Sequence, residues 1–190
     1  MDIHQPWVLS TDRTEWSFGK TRFNILMLGV VHKGVAYPLL WTMLEKKGNS
    51  NSEERMDLLD RFEQIFPDTE IAYISGDREF VGKKWLTYLL IEPAISFRLR
   101  IKKSDRIGKG NKQLRASIVF ANLKPGQTQI LSGRRWVWGR LVYVSALCLD
   151  DGELLIVITP DATNSAISDY AQRWGIETLF GILRELRSLV

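Results

Sequence analysis

Three strand-like runs follow one another at the start of the chain: residues 7–16, 22–32 and 35–44, the last two joined by Lys33-Gly34. Runs this close together predict an antiparallel meander, because a short link can reverse a strand but cannot carry a crossover. An acid, Asp12, interrupts the first run. A carboxylate in mid-strand is unfavourable unless it is paired or bound to a metal. Two-residue parity groups it with Val8, Ser10 and Thr14 on one face.

Beyond the meander, Ser50 and Glu53 stand at capping-box spacing, and Met56, Leu59, Phe62 and Phe66 recur at helical intervals before Pro67. A helix is expected there. Residues 71–76 predict a short buried strand ending at Asp77, followed by a helix from about Glu79 to Leu90 that stops near Pro93. In 95–101, Ile95, Phe97, Leu99 and Ile101 alternate with Ser96, Arg98 and Arg100, which predicts a strand with one polar face. The Lys- and Gly-rich stretch 102–112 is expected to be a loop, and 113–123 a short helix. Strands are expected at about 128–137, 140–149 and 153–159, the last two joined by an Asp150-Asp151-Gly152 turn. Residues 164–190 are helical by pattern.

This order predicts an α+β (mixed α/β) fold forming a single domain over 1–190, with an inserted β-rich segment at about 104–160. A crossover through the first helix would set the 71–76 strand beside and parallel to the first strand. Asp12 and Asp77 would then be neighbours.

Composition narrows the function. The chain has 190 residues, 45% hydrophobic and 25% charged, enough for one domain with a sizeable core. A net charge of +4 is compatible with a polyanion partner. With one cysteine, Cys148, there is no internal disulfide framework. His4 and His32 lack the spacing of a zinc site. Neither a signal peptide nor an apolar run of about 18 residues is present, so a soluble, intracellular protein is expected.

On the helix expected at the C-terminal end, Tyr170, Arg173, Glu177 and Arg184 fall within a sector roughly 60° wide and share one face. Ile176, Leu179, Leu183, Leu186 and Val190 form a separate apolar stripe. Taken singly, these acids have other readings: Asp77 as a helix N-cap, Asp12 as a salt-bridged strand residue, Arg173–Glu177 as a surface pair. Trp136 and Trp174 read equally well as core residues or as platforms for an unpaired base, whereas Trp138 is expected in the core. Arg98, Arg100, Lys102, Lys103, Arg106, Lys109 and Lys112 form a basic cluster that suits either a DNA backbone or solvent.

The motifs LSTDRTEW, PLLW followed by KKGNSNSEER, ISGDREFVGKKW and Tyr170-x2-Arg173-x3-Glu177-x6-Arg184 resemble the DDE transposases of the insertion-sequence-four family. The resemblance runs from about Trp7 to Leu186. It implies a ribonuclease H-like fold in which Asp12, Asp77 and Glu177 are catalytic and hold two Mg²⁺ or Mn²⁺ ions. The implied activity is metal-dependent cleavage and strand transfer of DNA during transposition, with a homodimer acting on double-stranded DNA at transposon ends and target, in a bacterial cytoplasm. Tyr170, Arg173, Trp174, Arg184 and Trp136 would contact the DNA. The family motif usually ends in Lys where this chain has Arg184, so a planar fork replaces a compact ammonium. Family members usually carry further sequence on both sides, so a core fragment is expected, or alternatively a truncated, non-catalytic DNA-binding remnant.

Overall fold

The computed structural model describes residues 3–91 and 94–187, apart from the side chains of Phe18 and of residues 183–187. Pro93 and the end of the expected C-terminal helix, with the side chains of Leu183, Arg184 and Leu186, therefore lie outside the described residues. Along the chain run β1 (Trp7–Phe18), β2 (Thr21–His32), β3 (Val35–Leu44), α1 (Ser52–Ile65) and β4 (Ile71–Gly76). Next come α2 (Lys83–Ile91), β5 (Phe97–Ile101), β6 (Arg106–Lys109), β7 (Lys112–Arg115) and α3 (Ala116–Val119). Then follow β8 (Thr128–Ile130), β9 (Arg135–Val137), β10 (Arg140–Cys148), β11 (Leu154–Thr159), α4 (Ala166–Ala171) and α5 (Trp174–Arg187). The fold is the expected mixed α+β arrangement, divided into two compact units: Met1–Glu79 with Gln172–Val190, and Phe80–Ala171.

In the first unit the strands lie in the order β3-β2-β1-β4. β1, β2 and β3 form the antiparallel meander, and Lys33-Gly34 makes the tight turn with both residues at positive φ (50° and 78°). β4 returns through α1 and pairs in parallel with β1, from Trp7↔Ile71 to Thr11↔Gly76. Strand alternation then assigns the two helices to opposite faces. Trp7 meets Phe62 and Phe66 of the α1 segment on one side. On the other, Val8 packs with Met27, Val31, Ala36, Ile176, Leu179 and Phe180, so α5 covers that face.

The capping box of α1 sits one residue later than the sequence suggests. Asn51 Oδ1 accepts from the Glu54 backbone N–H at 2.9 Å, and Glu54 Oε2 accepts from the Asn51 N–H at 2.7 Å. Ser50 is thereby left to accept from Arg55 Nε at 2.8 Å.

In the second unit β5, β11, β10, β9, β6 and β7 are successive neighbours, and β8 also pairs with β10. Asp150-Asp151-Gly152 turns β10 into β11, with Gly152 at φ 81°. Three expectations change here. The stretch 102–112 is not a loop: β6 and β7 form a hairpin with Lys109 opposite Lys112, because Gly110 (φ 57°) and Asn111 make a two-residue turn. The strand expected over 128–137 is two short strands, β8 and β9. The helix expected from Glu79 starts instead at Lys83, with Gly82 at φ 146° ahead of it.

The polar face of β5 is not open to solvent either. Arg98 is buried and donates to Asp169 Oδ2 of α4 at 2.8 Å, and Arg100 donates to Glu153 Oε1 at 2.8 Å. Both leave the expected basic cluster, whose exposed part is Lys102, Lys103, Arg106, Lys109 and Lys112, joined by Arg115. Among the described residues no helix is long and apolar enough to cross a membrane.

Candidate active site

Asp12 shares its strand face with Val8, and that is the face α5 covers. The parallel pair ends at Thr11↔Gly76, so the next residue on each strand is an acid, Asp12 on β1 and Asp77 just past β4. A crossover thus joins two carboxylates separated by more than sixty positions in sequence.

The third acid arrives by a different route from the one the sequence suggests. Residues 164–190 are not one helix: α4 ends at Ala171, and α5 begins at Trp174. At the break the backbone N–H of Gly175 donates to Gln172 O at 3.1 Å, and that of Ile176 to Arg173 O at 3.0 Å. Gly175 also lets α5 lie against the β2–β3 turn. A Cβ there would stand 3.1 Å from Ala36 N and from the Val35 carbonyl carbon. Glu177 therefore falls in the first turn of α5, where the helix dipole favours a negative charge.

The break separates the four residues expected on one helix face. Tyr170 is on α4 in the second unit, buried with Leu155, Val157 and Ala166. Arg173 and Glu177 belong to the first unit, as does Arg184, whose side chain is outside the described residues.

Arg173 is 4% exposed. Its Nη1 donates to Glu177 Oε1 at 2.6 Å, and its Nη2 donates to Asp12 Oδ2 at 3.0 Å. The same Nη2 lies 3.9 Å from Asp77 Oδ2. All three acids therefore converge on a single guanidinium. Their exposure is graded: the side chains of Asp12, Asp77 and Glu177 are 14%, 33% and 54% exposed. Burial pushes the Asp12 carboxyl up from the usual 3.8 to about 6. Arg173 and the Arg13 backbone N–H oppose that rise, while the nearby charges of Asp77 and Glu79 add to it.

A second charged network lies alongside, made of residues to which the sequence pattern assigns no part in the site. Glu79 accepts from Arg13 Nε and from Ser50 Oγ, each at 3.4 Å. Arg55 donates from Nε to Ser50 Oγ at 2.8 Å and also from Nη2 to the Ser50 carbonyl. Burial holds the Arg55 guanidinium below its usual pKa, against the opposing pull of Glu79 and Glu54. These bonds tie the segment after Asp77 to β1 and to the start of α1. The signal available in the sequence was the acid at Glu79, two residues past Asp77.

Three carboxylates gathered round a shared positive charge offer the hard oxygen ligands that Mg²⁺ and Mn²⁺ prefer. Among the described residues, no three His, Cys, Asp or Glu side chains stand close enough together to ligate an ion as they are. The donor chemistry fits a divalent cation, and the guanidinium holds the centre.

The tryptophans differ from expectation in one case. Trp174 opens α5 and is 58% exposed. Trp136 and Trp138 line an open cleft of about 370 Å³ with Asp105, Arg106 and Gln113. Trp138 is not in the core: it occupies the two-residue β9–β10 turn with Gly139, at φ 51°, and is 44% exposed. A bulky side chain at positive φ is strained, which makes its display at a turn notable.

Two acids at adjacent positions where the parallel pair ends, and a third on the helix over the same face, form a carboxylate cluster around Arg173. The sequence matches the family described as Transposase DDE domain over residues 4–189. The chain belongs to that DDE transposase family. Among solved structures it is similar to a piggyBac transposase in a synaptic complex with hairpin DNA, at 14% identity and a TM-score of 0.53. The match covers 92% of this chain and 40% of that one, so this chain spans well under half of that protein's length. At such identity the likeness is one of fold. No curated protein matches the chain.

Proposed function

We propose that this chain is the catalytic domain of a metal-dependent DNA transposase of the insertion-sequence-four type, with a β-rich insertion at about 104–160. The observation that carries this reading is the parallel pairing of β1 and β4, which ends one residue before Asp12 and Asp77. Asp12, Asp77 and Glu177 are the metal ligands and hold two Mg²⁺ or Mn²⁺ ions. When bound, such ions activate the attacking water or 3′-hydroxyl and stabilise the leaving oxygen. The protein's own part is to hold its carboxylates on one face and the scissile phosphodiester in line with them.

DNA contacts come from Arg173 at the acids and Trp174 next to it in the chain, with Tyr170 and Arg184 assigned by their places in the motif. In the second unit Trp136, with Trp138 beside it, offers a stacking surface, and the basic β6–β7 hairpin suits a phosphate backbone. The functional form is a homodimer on double-stranded DNA in the bacterial cytoplasm.

Replacing Asp77 by Asn keeps the side chain's shape and removes its charge. The variant is expected to fold and to lose Mg²⁺-dependent nicking of DNA that carries the element's ends. Undiminished cutting by Asp77→Asn rules out this site. Equal DNA binding by parent and variant, with cutting by neither, identifies a non-catalytic DNA-binding remnant.

A further inference from the structure

Arg173 stands where the charge balance of the acid cluster is decided. It is among the most buried charged side chains described, and each of its two terminal nitrogens is committed to carboxylate oxygen: Nη1 to Glu177 at 2.6 Å, Nη2 to Asp12 at 3.0 Å, with Asp77 at 3.9 Å. Arg173 thus brings one positive charge to three acids; Arg78 Nε, 3.6 Å from Asp77 Oδ1, brings a second, and the acids still outnumber these cations. A guanidinium is a fork that bonds two carboxylates at once, which a point charge cannot do with the same geometry.

A divalent ion requires the same oxygens at about 2.0–2.1 Å. The guanidinium already bonds Asp12 Oδ2 and Glu177 Oε1. Two cations sharing these oxygens in a partly buried site repel strongly. The acids are also not yet close enough to ligate an ion together. Arg173 and the ions therefore compete for one set of ligands.

We propose that Arg173 is a built-in counter-cation for Asp12, Asp77 and Glu177, which holds the three acids together before metal arrives and swings off them as the ions bind. This rests on the reading of the three acids as metal ligands. Its consequence is that metal affinity is held below what the acids alone would give. A second consequence follows by linkage: a displaced guanidinium needs a new anion, and a DNA phosphate supplies one, so metal and DNA each strengthen binding of the other. Arg173 is then a positioning residue before loading and a phosphate contact after it.

The test is Mn²⁺ binding by calorimetry to the parent chain and to Arg173→Gln, Arg173→Lys and Asp77→Asn, together with the melting temperature of each metal-free protein. Arg173→Gln is expected to melt lower without metal and to bind Mn²⁺ about tenfold or more tightly, within the usual range of coupling between sites. Arg173→Lys keeps the charge but loses the fork, so its affinity should lie between the two and its fold should persist. Unchanged or weaker Mn²⁺ binding in the Arg173 variants, with binding by the parent that Asp77→Asn abolishes, overturns the counter-cation role alone. Failure of folded parent and Arg173 variants alike to bind Mn²⁺ overturns both this proposal and the metal-site reading beneath it.

Discussion

Asp12 is held under opposing electrostatic pulls. Its carboxyl is drawn out of water by strand and helix, and burial outweighs the attraction of Arg173, so its pKa rises from 3.8 to about 6. The folded state therefore holds this proton more tightly than the unfolded chain does. Below about pH 4 both states are protonated and the group is neutral to stability. Between about 4 and 6 the unfolded chain releases the proton first, and folding loses stability as pH rises, by about 3 kcal/mol in all for a shift of about two pKa units. Above about 6 the loss is constant. Urea denaturation of the metal-free protein across this window is expected to show that decline, and Asp12→Asn to flatten it. A parent profile that rises with pH through the window while Asp12→Asn shows the same slope contradicts the assignment. Arg173 illustrates what sequence does not carry at this scale. Its bond to Glu177 is visible as an i,i+4 spacing, but its partner Asp12 is 161 positions away and depends on the whole sheet being formed.

At the scale of elements, the break between α4 and α5 governs the geometry of the site. Gly175 is the cause that can be tested. Its missing Cβ leaves room for the β2–β3 turn, and the atoms 3.1 Å away are backbone, which cannot rotate aside. Gly175→Ala should force α5 off the sheet, at a cost of about 1–3 kcal/mol, the range for overpacking. The same displacement should weaken metal binding through Glu177. A variant with parent stability and parent affinity would show that the close approach is dispensable. The meander, α1 and β4 were legible because strand alternation, a helical apolar period and turn residues all agree there. The break was not legible, because a Gly within a helical pattern marks no boundary until the hairpin it packs on is in place. The β6–β7 hairpin was missed for a simpler reason: Lys109, Gly110, Asn111 and Lys112 read as a polar loop, though Gly-Asn is also a two-residue hairpin turn.

At the scale of the whole molecule, the two units divide the work. The first holds the acids: the chain leaves β3, passes through α1 and returns as β4 on the far side of β1, parallel to it. The second presents cation and aromatic surface, at the β6–β7 hairpin and at Trp136 and Trp138. Sequence alone could not sort its basic residues, since Arg98 and Arg100 sit in the same run as the exposed lysines yet turn to Asp169 and Glu153. We propose that Asp12, Asp77 and Glu177 in this first unit hold the metal ions. The most direct check is anomalous scattering from crystals of the chain soaked in Mn²⁺. Metal peaks ligated by Asp12 and Asp77, with Glu177 completing the set and Arg173 turned away, are the expected result. Saturating Mn²⁺ with no peak within ligand distance of Asp12 and Asp77, while the crystals still diffract, contradicts it.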